Sequence, residues 1–280
     1  MKKNMLPIPF EFAGNLPLFT VKVNGESKQF ILDSGAQTMV LNSKYEEDSG
    51  TSSPATVAGH VVASVQASFI PSFEWGGMQL SNQMAMVMDL SHLEKRLQTT
   101  VHGLIGCAQL ANYDLLLDYR KRQVTLTDSY GEVPACMTGA VSLPFTVSQH
   151  IPVIPVKIED KVFSLGLDTG AEGNVLGREH EEYCTKMGLV FDVTQDEVVR
   201  INNEDSEQET CFCSIKNIAI GQDLTIDHMR FAFHDINIHG VKADGLMGYE
   251  LFSRYKAMIR FTKRELLLQP FETNIKEDLP

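Results

Sequence analysis

The second half of this chain repeats the first. Pro9–Leu41 aligns with Pro144–Leu176 at a constant offset of 135, with no gap over 33 positions. Eleven pairs are identical, among them Pro17/Pro152, Val21/Val156, Leu32/Leu167, Asp33/Asp168, Gly35/Gly170, Ala36/Ala171 and Val40/Val175. Chance gives roughly two at ordinary residue frequencies. The register returns at Gly103-Leu104-Ile105-Gly106 against Gly245-Leu246-Met247-Gly248, now at offset 142, and runs on through Tyr113/Tyr255, Arg122/Arg264 and Leu126/Leu268. A repeat on this scale calls for two equivalent lobes related by a pseudo-two-fold axis. We place them at 1–133 and 143–280, with a link over 134–142. The stretch Asp128–Gly139 carries the Asp, Ser, Gly and Pro of a turn-rich connection.

Half of 280 residues is enough for a buried core in each lobe. Hydrophobic residues at 43% and charged residues at 21% exclude a disordered chain or a coiled coil. The net charge of −12 argues against a nucleic-acid partner. No run of 18 apolar residues occurs, so no membrane-spanning helix is expected. Five cysteines, an odd and sparse set, make no disulfide framework and fit a reducing compartment. The opening residues hold no apolar leader core. The expected location is cytoplasmic, or periplasmic or exported if a leader is missing from this sequence.

Within each lobe the pattern is β. Leu18–Val23 and Phe30–Leu32 read as strands around an Asn24-Gly25 turn, and Val153–Ile158 and Val162–Leu167 repeat them around Glu159-Asp160. Val57–Phe69 and Asp196–Ile218 read as longer hairpins, and Met84–Met88 and Met229–Phe233 as strands. Helices are few: Arg178–Met187, ended by Gly188, and short ones after Gly106 and Gly248.

The chemistry sits where an apolar strand runs into an aspartate. Phe30-Ile31-Leu32 leads to Asp33-Ser34-Gly35-Ala36, and Leu165-Gly166-Leu167 leads to Asp168-Thr169-Gly170-Ala171. A carboxyl at the end of a buried strand is costly alone. Two copies about one axis bring the carboxyls together, where both cannot ionise and one proton is shared. The ionised member takes a proton from water and the protonated member donates to a carbonyl oxygen. Gly35 and Gly170 allow the two backbones to approach. The Ser34 and Thr169 hydroxyls can bond across the axis and lock the pair.

These motifs resemble those of the aspartic peptidases of the retropepsin and pepsin type. Asp-Ser/Thr-Gly-Ala followed by Gln37-Thr-Met-Val40-Leu41 or Glu172-Gly-Asn-Val175-Leu176 is similar to the retropepsin form. The two Gly-apolar-apolar-Gly segments resemble the family's strand beside the catalytic loop. Bacterial aspartyl-protease family proteins share this look. The resemblance implies a mostly β fold of two retropepsin-like closed β-barrel lobes in a pepsin-like bilobal arrangement, with a few short helices. It implies a single-chain fusion that need not dimerise, so a monomer. Asp33 and Asp168 would be the catalytic pair, and Ser34 and Thr169 the hydroxyl grip. Gly35 and Gly170 would shape the loops and present carbonyls to substrate. Ala36, Gln37, Ala171 and Glu172 would contact the substrate, together with flaps near Thr56–Val62, with Gly59 at the tip, and Val199–Ser206. The implied activity is that of an aspartic endopeptidase acting on peptides or flexible protein segments without metal or organic cofactor. Alanine after Asp-Ser/Thr-Gly favours activity nearer neutral pH than that of acid-active pepsins. The alternative is a peptide- or ligand-binding module on the same fold, without turnover.

Other features read as structure. A third Asp-Ser-Gly at Asp48-Ser49-Gly50 follows Glu46-Glu47, not an apolar strand, and its repeat partner is Tyr183-Cys184-Thr185 inside a helix. Cys211 and Cys213, with His228, His234 and His239, match no zinc spacing. Met84, Met86 and Met88 read as a core-facing stripe, Trp75 as packing beside the Gly76-Gly77 turn, and Glu179–Glu182 as a solvated helix face. No phosphate loop and no Ser/His or Cys/His nucleophile pair is present.

Overall fold

Two strands set the pattern for the whole molecule. Leu16–Val23 and Ile151–Ile158 have one and the same order of buried and exposed positions, so the repeat seen in residue identity is also a repeat of which side chains face inward. Asn24 and Gly25, both at positive φ (52° and 86°), turn the first strand back into Glu26–Leu32. Ile151–Ile158 returns in the same way into Lys161–Leu167. The computed structural model describes residues 6–46, 51–57, 60–128, 132–194, 212–235 and 241–271.

Each lobe closes on itself. In the first, Leu16–Val23, Glu26–Leu32, Gly103–Ile105, Val40–Asn42, Met78–Met88 and His60–Trp75 follow one another around a ring, and the last pairs back to the first through Lys22↔Glu74 and Val23↔Phe73. In the second, Ile151–Ile158, Lys161–Leu167, Gly245–Met247, Asn174–Gly177, Leu224–His234 and Phe212–Ile220 close through Val156↔Ile220. Both are closed six-stranded barrels, and closure removes the sheet edges a single lobe would otherwise expose. Phe19, Phe30, Phe73 and Trp75 fill the first; the Phe19 and Trp75 rings meet edge to face at 5.0 Å. Phe163, Ile215, Ile218 and Phe231 fill the second.

The lobes share a third sheet of six strands, in the order Ile8–Pro9, Gln123–Asp128, Tyr113–Asp118, Tyr255–Arg260, Glu265–Pro270 and Val141–Pro144. The axis passes between the two central strands. Val141–Pro144 takes in the end of the expected link and the start of the second lobe. Leu115, Leu117, Ala257 and Ile259 bury the sheet's apolar face. Two ion pairs cross it: Arg260 Nε to Asp114 Oδ2 at 2.9 Å, and Lys256 Nζ to Asp118 Oδ2 at 3.5 Å. Phe10, Phe12 and Tyr119 from the first lobe meet Tyr249 and Phe252 from the second beside it.

The helices are short: α1 (Ser91–Leu97), α2 (Cys107–Leu110), α3 (Glu181–Lys186) and α4 (Tyr249–Phe252). α2 and α4 follow Gly106 and Gly248 as expected. α3 is preceded by a 3₁₀ turn at Arg178–His180, and Glu181 and Glu182 are solvated. α1 was not anticipated. The methionine stripe is a correction: Met84 is 52% exposed, whereas Ala85 is buried and Val87 packs on the core. Asn82 at φ 56° switches the alternation along Met78–Met88, so Met84 is exposed and Met86 half-buried, while Met88, with Leu93 and Leu97 of α1, packs against the small cluster around Leu16, Ile31 and Leu104. Trp75 is buried beside its glycine turn. Cys213 is buried, Cys211 and His239 lie outside the described residues, and no cluster of three possible metal ligands occurs among the described residues. Among them, too, no helix is long and apolar enough to cross a membrane. Asp48-Ser49-Gly50 also lies outside the described residues.

Candidate active site

The two aspartate loops are built alike. Glu26–Leu32 runs parallel to Gly103–Ile105, and Lys161–Leu167 parallel to Gly245–Met247. The pairing extends one residue further, with Asp33 N donating to Ile105 O (3.0 Å) and Asp168 N to Met247 O (2.9 Å). Each loop then turns on itself, Ala36 N to Asp33 O and Ala171 N to Asp168 O, both at 3.3 Å. The helices after the Gly-apolar-apolar-Gly segments hold the loops from behind: Cys107 N donates to Ala36 O (2.9 Å), and Tyr249 N to Ala171 O (3.1 Å).

The hydroxyls cross the axis. Ser34 Oγ donates to Leu167 O (2.9 Å) and accepts from Thr169 N (2.9 Å). Thr169 Oγ1 donates to Leu32 O (2.9 Å) and accepts from Ser34 N (3.0 Å). Both side chains are buried. Ser34→Ala or Thr169→Val leaves a buried amide and a buried carbonyl on the opposite loop without partners. Each substitution should cost about 1–3 kcal/mol, with the double variant costing less than the sum because the groups form one network. Urea unfolding of the three variants measures this, and changes no larger than those of surface substitutions would show that the grip carries little.

The carboxyls lie where this grip puts them. Gly35 N donates to Asp33 Oδ1 (2.8 Å) and also to Asp168 Oδ1 (3.2 Å); Ala36 N adds a second donor to Asp33 Oδ1 (2.9 Å), and Gly170 N donates to Asp168 Oδ1 (2.8 Å). A Cβ on Gly35 would stand 2.6 Å from Asp168 Oδ2, and one on Gly170 2.6 Å from Asp33 Cγ, so glycine is required at both. Both carboxyls accept from the one Gly35 amide, which sets them side by side. Burial pushes Asp33 above the ordinary carboxylate value, with the Ala36 and Gly35 amides pulling it back. Burial pushes Asp168 well above that value, and the charge on Asp33 adds to the rise. Such a pair keeps a proton where isolated carboxyls have lost theirs.

Residues 19–108 match the family model described as aspartyl protease. No curated protein matches the chain. Of the 422 solved chains that match its fold, basic 7S globulin from soybean superposes with a TM-score of 0.54 at 8% identity, over 95% of this chain and 94% of that one. The first lobe is thus similar to an aspartyl protease, and the whole chain has the two-lobed fold of that neighbour. Near Thr56–Val62, where the sequence suggests a flap, the first lobe has a long hairpin: Thr51–Val57 pairs with His60–Trp75 from Thr51↔Ala67 to Val57↔His60. Gly59, and the whole of 199–206, lie outside the described residues.

The two aspartate loops differ just past the aspartates. Ala36, Ala171 and Glu172 are half-buried, and Gln37 is exposed. Glu172 is engaged from the first lobe: Arg96 Nε on α1 lies 3.0 Å from Glu172 Oε2, and Asn15 Nδ2 donates to Glu172 O at 3.0 Å. His150 Nε2 reaches Gly35 O at 2.7 Å from the second lobe. Cys107 Sγ donates to Ser34 O (3.0 Å), and burial drives that thiol far up, so it stays neutral beneath the loop. None of these four residues was singled out in the sequence. Asn15 and His150 were within reach of the repeat, because offset 135 pairs them in turns preceding matched strands. Arg96 sits in a segment without a counterpart in the alignment.

Proposed function

We propose that this protein is an aspartic endopeptidase with Asp33 and Asp168 as its catalytic residues. The observation that carries the reading is the joined pair itself: two carboxyls that accept from one and the same Gly35 amide, each held by a further amide of its own loop, both kept above the ordinary value by burial. A water between them loses a proton to the ionised carboxyl as its oxygen bonds to the scissile carbonyl carbon. The protonated carboxyl gives its proton to the carbonyl oxygen, forming a neutral tetrahedral diol. Collapse reverses the transfers: a hydroxyl proton returns to the pair, the pair protonates the leaving nitrogen, and the C–N bond breaks. One proton resides on the pair at the start and at the end. The backbone grip keeps both groups fixed, so little reorganisation is needed during reaction.

The substrate in this reading is an extended peptide or flexible protein segment, laid along the first-lobe hairpin by strand-type hydrogen bonds. One chain supplies both aspartates, so the reading needs no dimer. Incubating the protein with a proteome-derived peptide library from pH 3 to pH 8 and mapping cuts by mass spectrometry tests it. Cuts blocked by a statine-containing peptide, with the best rate above about pH 3, are expected. A folded protein that cuts nothing at any pH while binding the statine peptide would replace this reading with the binding module.

A further inference from the structure

The two halves of the pair are not equivalent, and the difference comes from outside the loops. The turns that reach across the axis have the same backbone: Gly14 and Gln149, at offset 135, have φ of 56° and 57°. The residues that follow them differ in chemistry. Asn15 is a neutral amide bonded to the carbonyl of Glu172. His150 is an imidazole bonded to the carbonyl of Gly35, the residue whose amide touches both carboxyls. A carbonyl only accepts, so His150 Nε2 carries hydrogen and a second proton enters at Nδ1, making a cation against the Asp33 loop that neutral Asn15 does not match against the Asp168 loop. Asp33 also holds the Ala36 amide, and no matching bond from Ala171 to the Asp168 carboxylate occurs among the described residues.

We propose that His150 breaks the symmetry of the pair: seated on the Gly35 carbonyl, it makes Asp33 the carboxylate and leaves the shared proton on Asp168. His150 acts through Asp33 and is a positioning residue. Its charge is among the influences that draw the Asp33 carboxyl down against burial, after those of the Ala36 and Gly35 amides and Asp168. The other titratable groups facing the pair do not favour Asp33 in this way. The Cys107 thiol is buried and neutral, and the Tyr119 phenol, pushed up by burial first and by Asp168 second, is neutral too. On the turn of His150, Ser148 and Gln149 carry no charge; Lys242 meets the turn through its amide, which donates to Ser148 Oγ (2.8 Å).

The kinetic part of the test rests on the peptidase reading; the spectroscopic part does not. The full chain is labelled with aspartate carboxyl carbon-13, Asp33→Asn and Asp168→Asn assign the two signals, and the pair is titrated in wild type, His150→Gln and His150→Arg. In wild type Asp33 should ionise before Asp168. His150→Gln keeps a donor and removes the cation, and should raise the Asp33 midpoint by about one pH unit; His150→Arg should keep it near the wild-type value. An unchanged midpoint in His150→Gln, a midpoint in His150→Arg equal to that of His150→Gln, or Asp168 ionising first in wild type would each overturn the proposal. If Gln at this position prevents folding, Asn takes its place against Arg. The acid limb of kcat/KM should move with the Asp33 midpoint. A midpoint that shifts in a protein without cleavage keeps this inference and removes the peptidase reading. Cleavage with a fixed midpoint does the reverse.

Discussion

Asp33→Asn and Asp168→Asn should each slow peptide cleavage by at least about a thousandfold, at the upper end of what positioned acid and base groups contribute. An asparagine in place of either carboxyl leaves the grip intact, because Ser34 and Thr169 bond to backbone and to each other's loops, not to the carboxyls. It still offers an oxygen to Gly35 N or Gly170 N. What it removes is the shared proton, and with it either the base for water or the acid for the carbonyl. The loss should fall on kcat, with KM within a few-fold. Stability should move the other way. Both carboxyls hold protons above their ordinary value, so their contribution to stability is complete below that value and is lost as pH rises through the folded one. Near neutral pH each variant should therefore melt at or above the wild-type temperature. A variant that melts normally yet keeps a tenth of the wild-type rate would remove that aspartate from the mechanism.

The second large effect lies in the shared sheet. Arg260 is 3% exposed and Asp114 1% exposed. Asp114 Oδ2 accepts from Arg260 Nε, while Asp114 Oδ1 is buried with no hydrogen-bond partner among the described residues. Burial therefore wins over the guanidinium and pushes this carboxyl up. Arg260 also bonds Glu265 through Nη1 at 3.0 Å. Arg260→Leu strands the buried Asp114 carboxylate, while Glu265 keeps its bond from Ser142 Oγ, and should cost about 3–5 kcal/mol. Leucine at both 114 and 260 should recover most of that, because an apolar pair of similar volume needs no desolvated charge. Denaturant unfolding of the two singles and the double decides it. A double variant as unstable as Arg260→Leu would mean that the pair supports the sheet through something other than mutual neutralisation.

The architecture was legible because it is written twice. Offset 135 and offset 142 locate both loops, both supporting segments and both inner hairpins, and period-two alternation marks the strands. Elements outside the repeat were not legible. α1 has no aligned partner, and its seven residues mix polar positions with only Leu93 and Leu97 packed against the barrel, too weak a stripe to stand out. The methionine stripe was misread because alternation says which residues share a face, not which face is covered. One left-handed residue, Asn82, switched it. His150 was passed over because its role depends on distance across the axis, which spacing along the chain does not encode.

The ion pairs of the central sheet have a further consequence. Tyr113–Asp118 contributes two acids, Asp114 and Asp118, and Tyr255–Arg260 two bases, Lys256 and Arg260. In the observed register Asp114 faces Arg260 and Leu117 faces Ala257. Apply that register to two copies of the first lobe, and Asp114 of each faces Asp118 of the other. Two copies of the second lobe set Lys256 against Arg260. Like charges directly opposite on neighbouring strands repel, and here Asp114, Asp118 and Arg260 are buried. The halves have become complementary where an identical pair would have to match itself. Each half now selects the other and refuses its own kind, so the duplicated chain has no way back to a symmetric assembly of separate lobes.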